Sequence, residues 1–231
     1  MNLPIVILPG FLEGATAYTK LEDSLDELGF PSITVPLRRR DWLVTLGGKS
    51  VTPIIEALDK TVNQALQDFN VSQVNLIGHS AGGWISRIYM GEFGYQGKKD
   101  KEPRYWKAYT SIANLITLGT PHISKEPWTQ WNLDFVNDNY PGAFYSSVRY
   151  VCVAGKTIFG KRRLGTWVAH NSYEMTCGIG NTWGDGITPI EAAHLQGAEN
   201  LVIEGVMHSP RSSDIWYGSP EVLHNWVSYL T

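Results

Sequence analysis

Cysteine is nearly absent from this 231-residue chain, which holds only Cys152 and Cys177. Two cysteines make no disulfide framework and their spacing suits no metal site. Cys152, inside Tyr150-Val151-Cys152-Val153-Ala154, reads as a small buried hydrophobe. Long apolar runs are missing too: nothing approaches the ~20 residues that cross a bilayer. The opening Met1-Asn2-Leu3-Pro4-Ile5-Val6-Ile7-Leu8-Pro9 has neither the basic start nor the long apolar core of a signal peptide. A cytoplasmic or organelle-interior location is therefore the expectation. An excess of one charge sign is also lacking, since 19 Lys and Arg against 22 Asp and Glu leave −3. Without a basic patch, a nucleic-acid partner is not expected. The one basic cluster, Arg38-Arg39-Arg40, is followed by Asp41 and reads as a solvated loop. Internal repeats and low-complexity tracts do not occur, and no metal or organic cofactor is implied.

What the chain does have is alternation. Ile5 to Leu8, Ser32 to Val35, Val74 to Ile77, Leu115 to Leu118, Val148 to Val153 and Leu201 to Val206 are short, β-branched segments that read as strands. Between them lie helical patterns. Residues 18–28 carry Leu21, Leu25 and Leu28 on one stripe, stopped by Gly29. Thr52-Pro53 reads as an N-cap and first-turn proline for a helix burying Ile54, Leu58, Val62, Ala65, Leu66 and Phe69. A last helix opens at Ser219-Pro220-Glu221 and carries Val222, Leu223, Trp226, Val227 and Leu230. Six strands interleaved with helices predict a mostly parallel sheet covered on both faces, within one domain spanning 1–231. Two long connections, about 121–147 and 157–184, are expected to form a small cap.

The most specific motif is Gly78-His79-Ser80-Ala81-Gly82. A strand pattern precedes it and a helical one, Gly83 to Met90, follows, which is the context of a nucleophile elbow. Its glycines leave room for a sharp turn that holds the serine in a strained, exposed conformation. A serine nucleophile needs a base, and the base needs an acid. His79 should point away into the packing behind the strand. His122 follows Gly119-Thr120-Pro121 at a strand end and can line the site, His170 and His194 have no strand before them, and His224 falls in the last helix. His208, two residues beyond a strand and before the last helix, is the candidate base, since catalytic groups gather at the carboxyl ends of parallel strands. Asp185, in Trp183-Gly184-Asp185-Gly186-Ile187-Thr188-Pro189, is the candidate acid; the order Ser80, Asp185, His208 is the one expected of this architecture. The backbone N–H groups of Ala81 and of Phe11, after the first strand, are candidates for an oxyanion hole.

Taken together, Leu8-Pro9-Gly10-Phe11, Gly78 to Gly83, Leu118-Gly119-Thr120-Pro121-His122, Gly184 to Pro189 and Val206-Met207-His208 resemble the α/β-hydrolase superfamily in its lipase and esterase members. More narrowly, the chain resembles small lipase-like proteins of plants and cyanobacteria similar to GPI inositol-deacylases. The resemblance implies an α/β-hydrolase fold with a small cap and a serine hydrolase acting on a small-molecule or lipid ester, with peripheral membrane contact. Acyl transfer by the same residues, or a non-catalytic ligand-binding role, stays open. The chain departs from the full fold in having no counterpart of its two leading antiparallel strands. Aromatics are plentiful: Trp128, Trp131, Phe135, Tyr140, Phe144 and Tyr145 cluster after His122. Trp84, His122, Trp131 and Phe135 are therefore the expected pocket walls, favouring medium or long acyl chains.

Overall fold

Residues 2–211 and 214–231 are described by a computed structural model, in which the side chain of Trp128 lies outside the described residues. The strands, in chain order, are β1 (Ile5–Leu8), β2 (Ser32–Thr34), β3 (Val74–His79), β4 (Ile112–Leu118), β5 (Arg149–Lys156), β6 (Ile158–Phe159), β7 (Trp183–Gly184) and β8 (Glu199–Glu204). The α-helices are α1 (Thr19–Glu27), α2 (Thr52–Asp68), α3 (Ala81–Met90), α4 (Pro127–Asn139), α5 (Trp167–Cys177), α6 (Ile190–Ala193) and α7 (Pro220–Leu223). Six strands form one sheet in the order β2-β1-β3-β4-β5-β8, with every neighbouring pair parallel. β6 and β7 pair antiparallel outside it.

Strand alternation divides the core between the two faces. Val6, Leu8, Leu76, Leu115 and Cys152 pack against α2, α3 and α4 through Ile54, Leu58, Ile85, Ile88, Leu133 and Val136. Their neighbours Ile5, Ile7, Ile77, Ile116, Val151 and Val153 face Leu21 and Leu25 of α1 and the C-terminal Tyr217, Val222 and Trp226. β1 is buried along its whole length, so both faces need apolar side chains and its sequence runs apolar; β3 is equally buried, and its Asn75 is paired with Asn114 and the Leu230 carbonyl. Truncating a fully buried residue such as Leu58 to alanine is expected to cost about 2–5 kcal/mol.

Three local features differ from the sequence expectations. Thr52 is the first residue of α2, with Val51 at the N-cap position. The Thr52 N–H is taken by Ser50 Oγ, and both hydroxyls donate to Asp100, so a carboxylate distant in sequence orients the group that meets the helix start. Residues 121–147 are not a structureless connection: they hold α4, whose Leu133 and Val136 belong to the core cluster of that face. The last helix is broken, with α7 ending at Leu223 and a 3₁₀ turn over Val227–Leu230. Between the two, the Trp226 indole N–H donates to the Tyr217 carbonyl at 3.0 Å. Residues 157–184 hold β6, α5 and β7.

Candidate active site

Ser80 stands between the buried centre of the sheet, β3, and the start of α3. Its φ of 51° and ψ of −122° are unusual for a residue with a side chain, a conformation costing roughly 1–3 kcal/mol unless its surroundings fix it. Here they do. The Ser80 N–H bonds the Leu118 carbonyl of β4 at 2.9 Å, and its carbonyl accepts the Gly83 N–H at 3.1 Å. The flanking glycines are required by contact: a Cβ on Gly78 would lie 2.5 Å from Gly83 Cα, and one on Gly82 would lie 2.4 Å from the Leu8 carbonyl.

Two other carboxyl-terminal strand loops converge on this serine. His208, after β8, places Nε2 3.0 Å from Ser80 Oγ and Nδ1 2.7 Å from Asp185 Oδ2. A carboxylate can only accept, so Nδ1 carries the proton and Nε2 is free to receive one from the serine hydroxyl. Asp185 is fully buried. Its Oδ1 accepts the N–H groups of Ile187 and Thr188 at 2.9 and 2.7 Å, while Oδ2 also accepts the Tyr217 hydroxyl at 2.6 Å. Burial alone would raise this carboxyl; the charge on His208, with the hydrogen bonds from His208, Tyr217 and Thr188, outweighs burial and holds it below the usual range. Gly119, with φ +57°, leaves the space, because a Cβ there would sit 2.7 Å from Asp185 Oδ2. The His208 N–H also bonds the Asp185 carbonyl at 3.1 Å, so the two loops are joined by backbone as well as side chain.

Behind the serine, His79 is buried as expected, but it is wired to the site. Its Nε2–H donates to the His208 carbonyl at 2.9 Å, and Nδ1 accepts the Tyr18 hydroxyl at 2.7 Å. Tyr18 in turn accepts the Gly10 N–H at 2.9 Å. Burial, reinforced by the nearby His208 charge, pushes His79 down to about 3, so this ring is neutral near pH 7. The same loop is held from outside by Arg39 Nε on the Leu12 carbonyl at 3.1 Å, Trp42 Nε1 on the Glu13 carbonyl at 2.9 Å, and an Arg211–Glu13 ion pair. Among the described residues, neither the Phe11 nor the Ala81 N–H is engaged by another group. Both residues line a cavity of about 360 Å³ that opens onto Ser80. Its other walls include Trp42, Leu46, Trp84, Ile85, Met175 and Ile187. A nucleophile, a base, an orienting carboxylate and two unspent N–H donors around an apolar chamber can carry out acyl transfer.

No protein-family model matches the chain, and no curated protein does. Solved structures do. The esterase EaEST from Exiguobacterium antarcticum is 14% identical with a TM-score of 0.52, over 100% of this chain and 93% of that one. The product of the gene lin2722 from Listeria innocua is 13% identical with a TM-score of 0.53, over 98% and 93%. A predicted CIB-like hydrolase from Thermoplasma acidophilum is 12% identical with a TM-score of 0.50, over 99% and 86%. These alignments span nearly the whole of this chain. This chain has the α/β-hydrolase fold. Some matches are much longer: the alignment with lipase B of Aspergillus fumigatus covers 87% of this chain but 44% of that one.

Within this α/β-hydrolase fold, Ser80, His208, Asp185, Phe11 and Ala81 come together, and Trp84 forms part of the cavity wall. The other three expected wall residues do not reach it. Trp131 and Phe135 pack with Tyr95, at ring separations of 5.8 and 5.4 Å, as a satellite of the core. His122 is buried among Arg87, Thr117 and Cys152, and burial, then Arg87, pushes it well below the usual range. The physical reason is α4, which turns Trp131 and Phe135 toward Tyr95 and the core cluster instead of toward the cavity. Sequence reading missed Tyr217, Tyr18 and Trp42. Tyr217 lies 32 positions from Asp185, and its one local signal is the Gly218-Ser219-Pro220 turn that follows it.

Proposed function

We propose that this protein is a serine hydrolase that cleaves carboxylic esters, as a lipase or esterase does, through an acyl-enzyme on Ser80. The observation that carries the reading is the hydrogen-bonded line Ser80 Oγ, His208 ring, Asp185 carboxylate, at 3.0 and 2.7 Å, at the mouth of an apolar cavity. Ser80 Oγ attacks the ester carbonyl while His208 Nε2 takes its proton. Asp185 keeps the ring in the tautomer that can do so and stabilises the imidazolium. The N–H groups of Phe11 and Ala81 meet the negative oxygen of the tetrahedral intermediate. His208 then protonates the leaving alcohol, and a water activated by the same ring releases the acid and restores the serine. Trp42, Trp84, Leu46 and Ile85 offer apolar surface to a medium or long chain, and each methylene buried there is worth ~0.8 kcal/mol.

Fluorophosphonate labelling followed by peptide mapping tests the reading. Modification of Ser80 is expected, with labelling and p-nitrophenyl ester turnover both lost in Ser80→Ala. Undiminished turnover in Ser80→Ala would remove the proposal.

A further inference from the structure

Asn132 of α4 lines the cavity with only 3% of its surface exposed. The Tyr95 hydroxyl accepts the Val51 N–H at 3.1 Å and donates its own hydrogen to Asn132 Oδ1 at 2.7 Å. That arrangement fixes the amide: the oxygen is committed to Tyr95, so the nitrogen is directed elsewhere. Among the described residues, no group accepts from Nδ2. Neighbouring hydroxyls have spent their hydrogens on the protein. Thr45 Oγ1 donates to the Trp42 carbonyl at 2.8 Å, Thr176 Oγ1 to the Ser172 carbonyl at 2.7 Å, and Thr129 Oγ1 to Ser124 Oγ at 3.0 Å. A mostly apolar chamber thus contains a preset, uncommitted N–H donor on its wall. Nδ2 is not one of the side-chain atoms shut away without a partner, so it is open to the chamber and able to donate to a substrate oxygen.

We propose that Asn132 Nδ2 is a specificity contact that selects esters carrying an acceptor oxygen (a keto, hydroxyl or ether oxygen) on the chain that enters the cavity. This rests on the reading of Ser80 as the nucleophile. The substrate class is an oxygenated ester instead of a plain alkyl one. Apolar walls hold the carbons, and the asparagine amide receives the oxygen. A plain chain leaves the amide hydrogens unmet, and that difference is the source of discrimination.

Two matched substrate series test this. In the first, p-nitrophenyl octanoate is compared with the p-nitrophenyl esters of the positional oxo-octanoic acids. In the second, octyl acetate is compared with the acetates of the corresponding oxo-octanols. At least one oxo isomer, in one series, is expected to exceed its parent in kcat/KM by roughly 5- to 10-fold, the range of one net hydrogen bond. The series in which it appears identifies the part of the ester that enters the cavity. Asn132→Leu, similar in volume, brings that ratio to one. Tyr95→Phe, which frees the amide to turn, lowers it part of the way. Wild-type ratios of one for every isomer overturn the proposal whether or not either variant folds, and so does an unchanged ratio in Asn132→Leu. Calorimetric binding of oxo-octanoic against octanoic acid reads the same preference without turnover. If no ester is cleaved while the binding preference stands, the nucleophile reading fails and the Asn132 contact survives.

Discussion

The His79 ring and the His208 backbone carbonyl are joined by a 2.9 Å hydrogen bond, so the residue before the serine holds the loop that carries the candidate base. Through Tyr18 the same ring also reaches the Gly10 N–H, one residue before the candidate oxyanion donor Phe11. Base and oxyanion loop are thereby set by one buried relay. His79→Phe keeps an aromatic ring but cuts both bonds, and is expected to lower kcat by about tenfold, or ~1.4 kcal/mol of barrier. Tyr18→Phe should cost less, and the double variant less than the product of the two losses, because they break one chain. Strictly multiplicative effects in steady-state kinetics would show that the relay does not act as a unit.

Buried neutral histidines also set a pH dependence of stability. Burial and then the His208 charge lower His79 to about 3, and burial, Arg87 and His194 lower His122 well below 6.5. The unfolded chain takes up protons near pH 6.5 while the folded chain does not. Their stabilisation is therefore complete above that pH and is lost as pH falls toward the folded values. The slope is about 1.4 kcal/mol per pH unit for each site. Urea unfolding at pH 7, 6 and 5 should show falling stability, with a shallower fall in His122→Asn. Equal stability at pH 7 and 5 would contradict the assignment of neutral rings.

Asp185 and Tyr217 make a second pair whose loss is readable. Asp185→Asn presents amide hydrogens where His208 Nδ1–H needs an acceptor, and is expected to lower kcat by about 10⁴. Tyr217→Phe leaves the ring in place but strips a donor from Asp185 and an acceptor from the Gly155 N–H, 2.8 Å away. A stability loss of about 1–3 kcal/mol is expected for the stranded N–H, with a smaller loss of kcat than in Asp185→Asn. Stopped assays and denaturant titrations on both variants separate the two effects.

Trp131 and Phe135 should behave as core residues. Their truncation to alanine is expected to cost about 2–3 kcal/mol of stability, below the range for fully buried aromatics. The ratio of octanoate to acetate turnover should not change. Trp84→Ala, which enlarges the cavity itself, should change that ratio. A chain-length series on the three variants decides the matter, and a shifted profile in Phe135→Ala would return that residue to the substrate path.

How far the sequence could be read follows the range of the interaction concerned. Val74 to Ile77 and the glycines about Ser80 are legible because strand burial and the steric demands of a sharp turn are local. His208 was reachable from its place beyond a strand, and Asp185 only from chain order. Tyr18, Tyr217 and Asn132 were not, since each earns its role through a partner tens of positions away: 61 for Tyr18 with His79, 32 for Tyr217 with Asp185, 37 for Asn132 with Tyr95. The aromatic cluster after His122 misled for a related reason. Composition reveals how much apolar surface a segment carries but not which way a helix turns it, and α4 turns Trp131 and Phe135 toward Tyr95 and the core.

The edge position of β8 has a consequence for how activity fails. Ser80 hangs from β3, which has a paired strand on each side, whereas His208 follows a strand whose one neighbour is β5. Of the six β8 residues, Leu201 and Ile203 are half-buried and the other four are exposed. Peripheral strands open at lower free energy than central ones. Fraying from that side would carry the imidazole away while the serine turn stays intact, producing an inactive population that is still folded. In a urea titration, ester turnover should then decline before the far-ultraviolet circular dichroism signal does. Amide hydrogens of Leu201 and Ile203 should exchange sooner than those of Leu76 and Ile77.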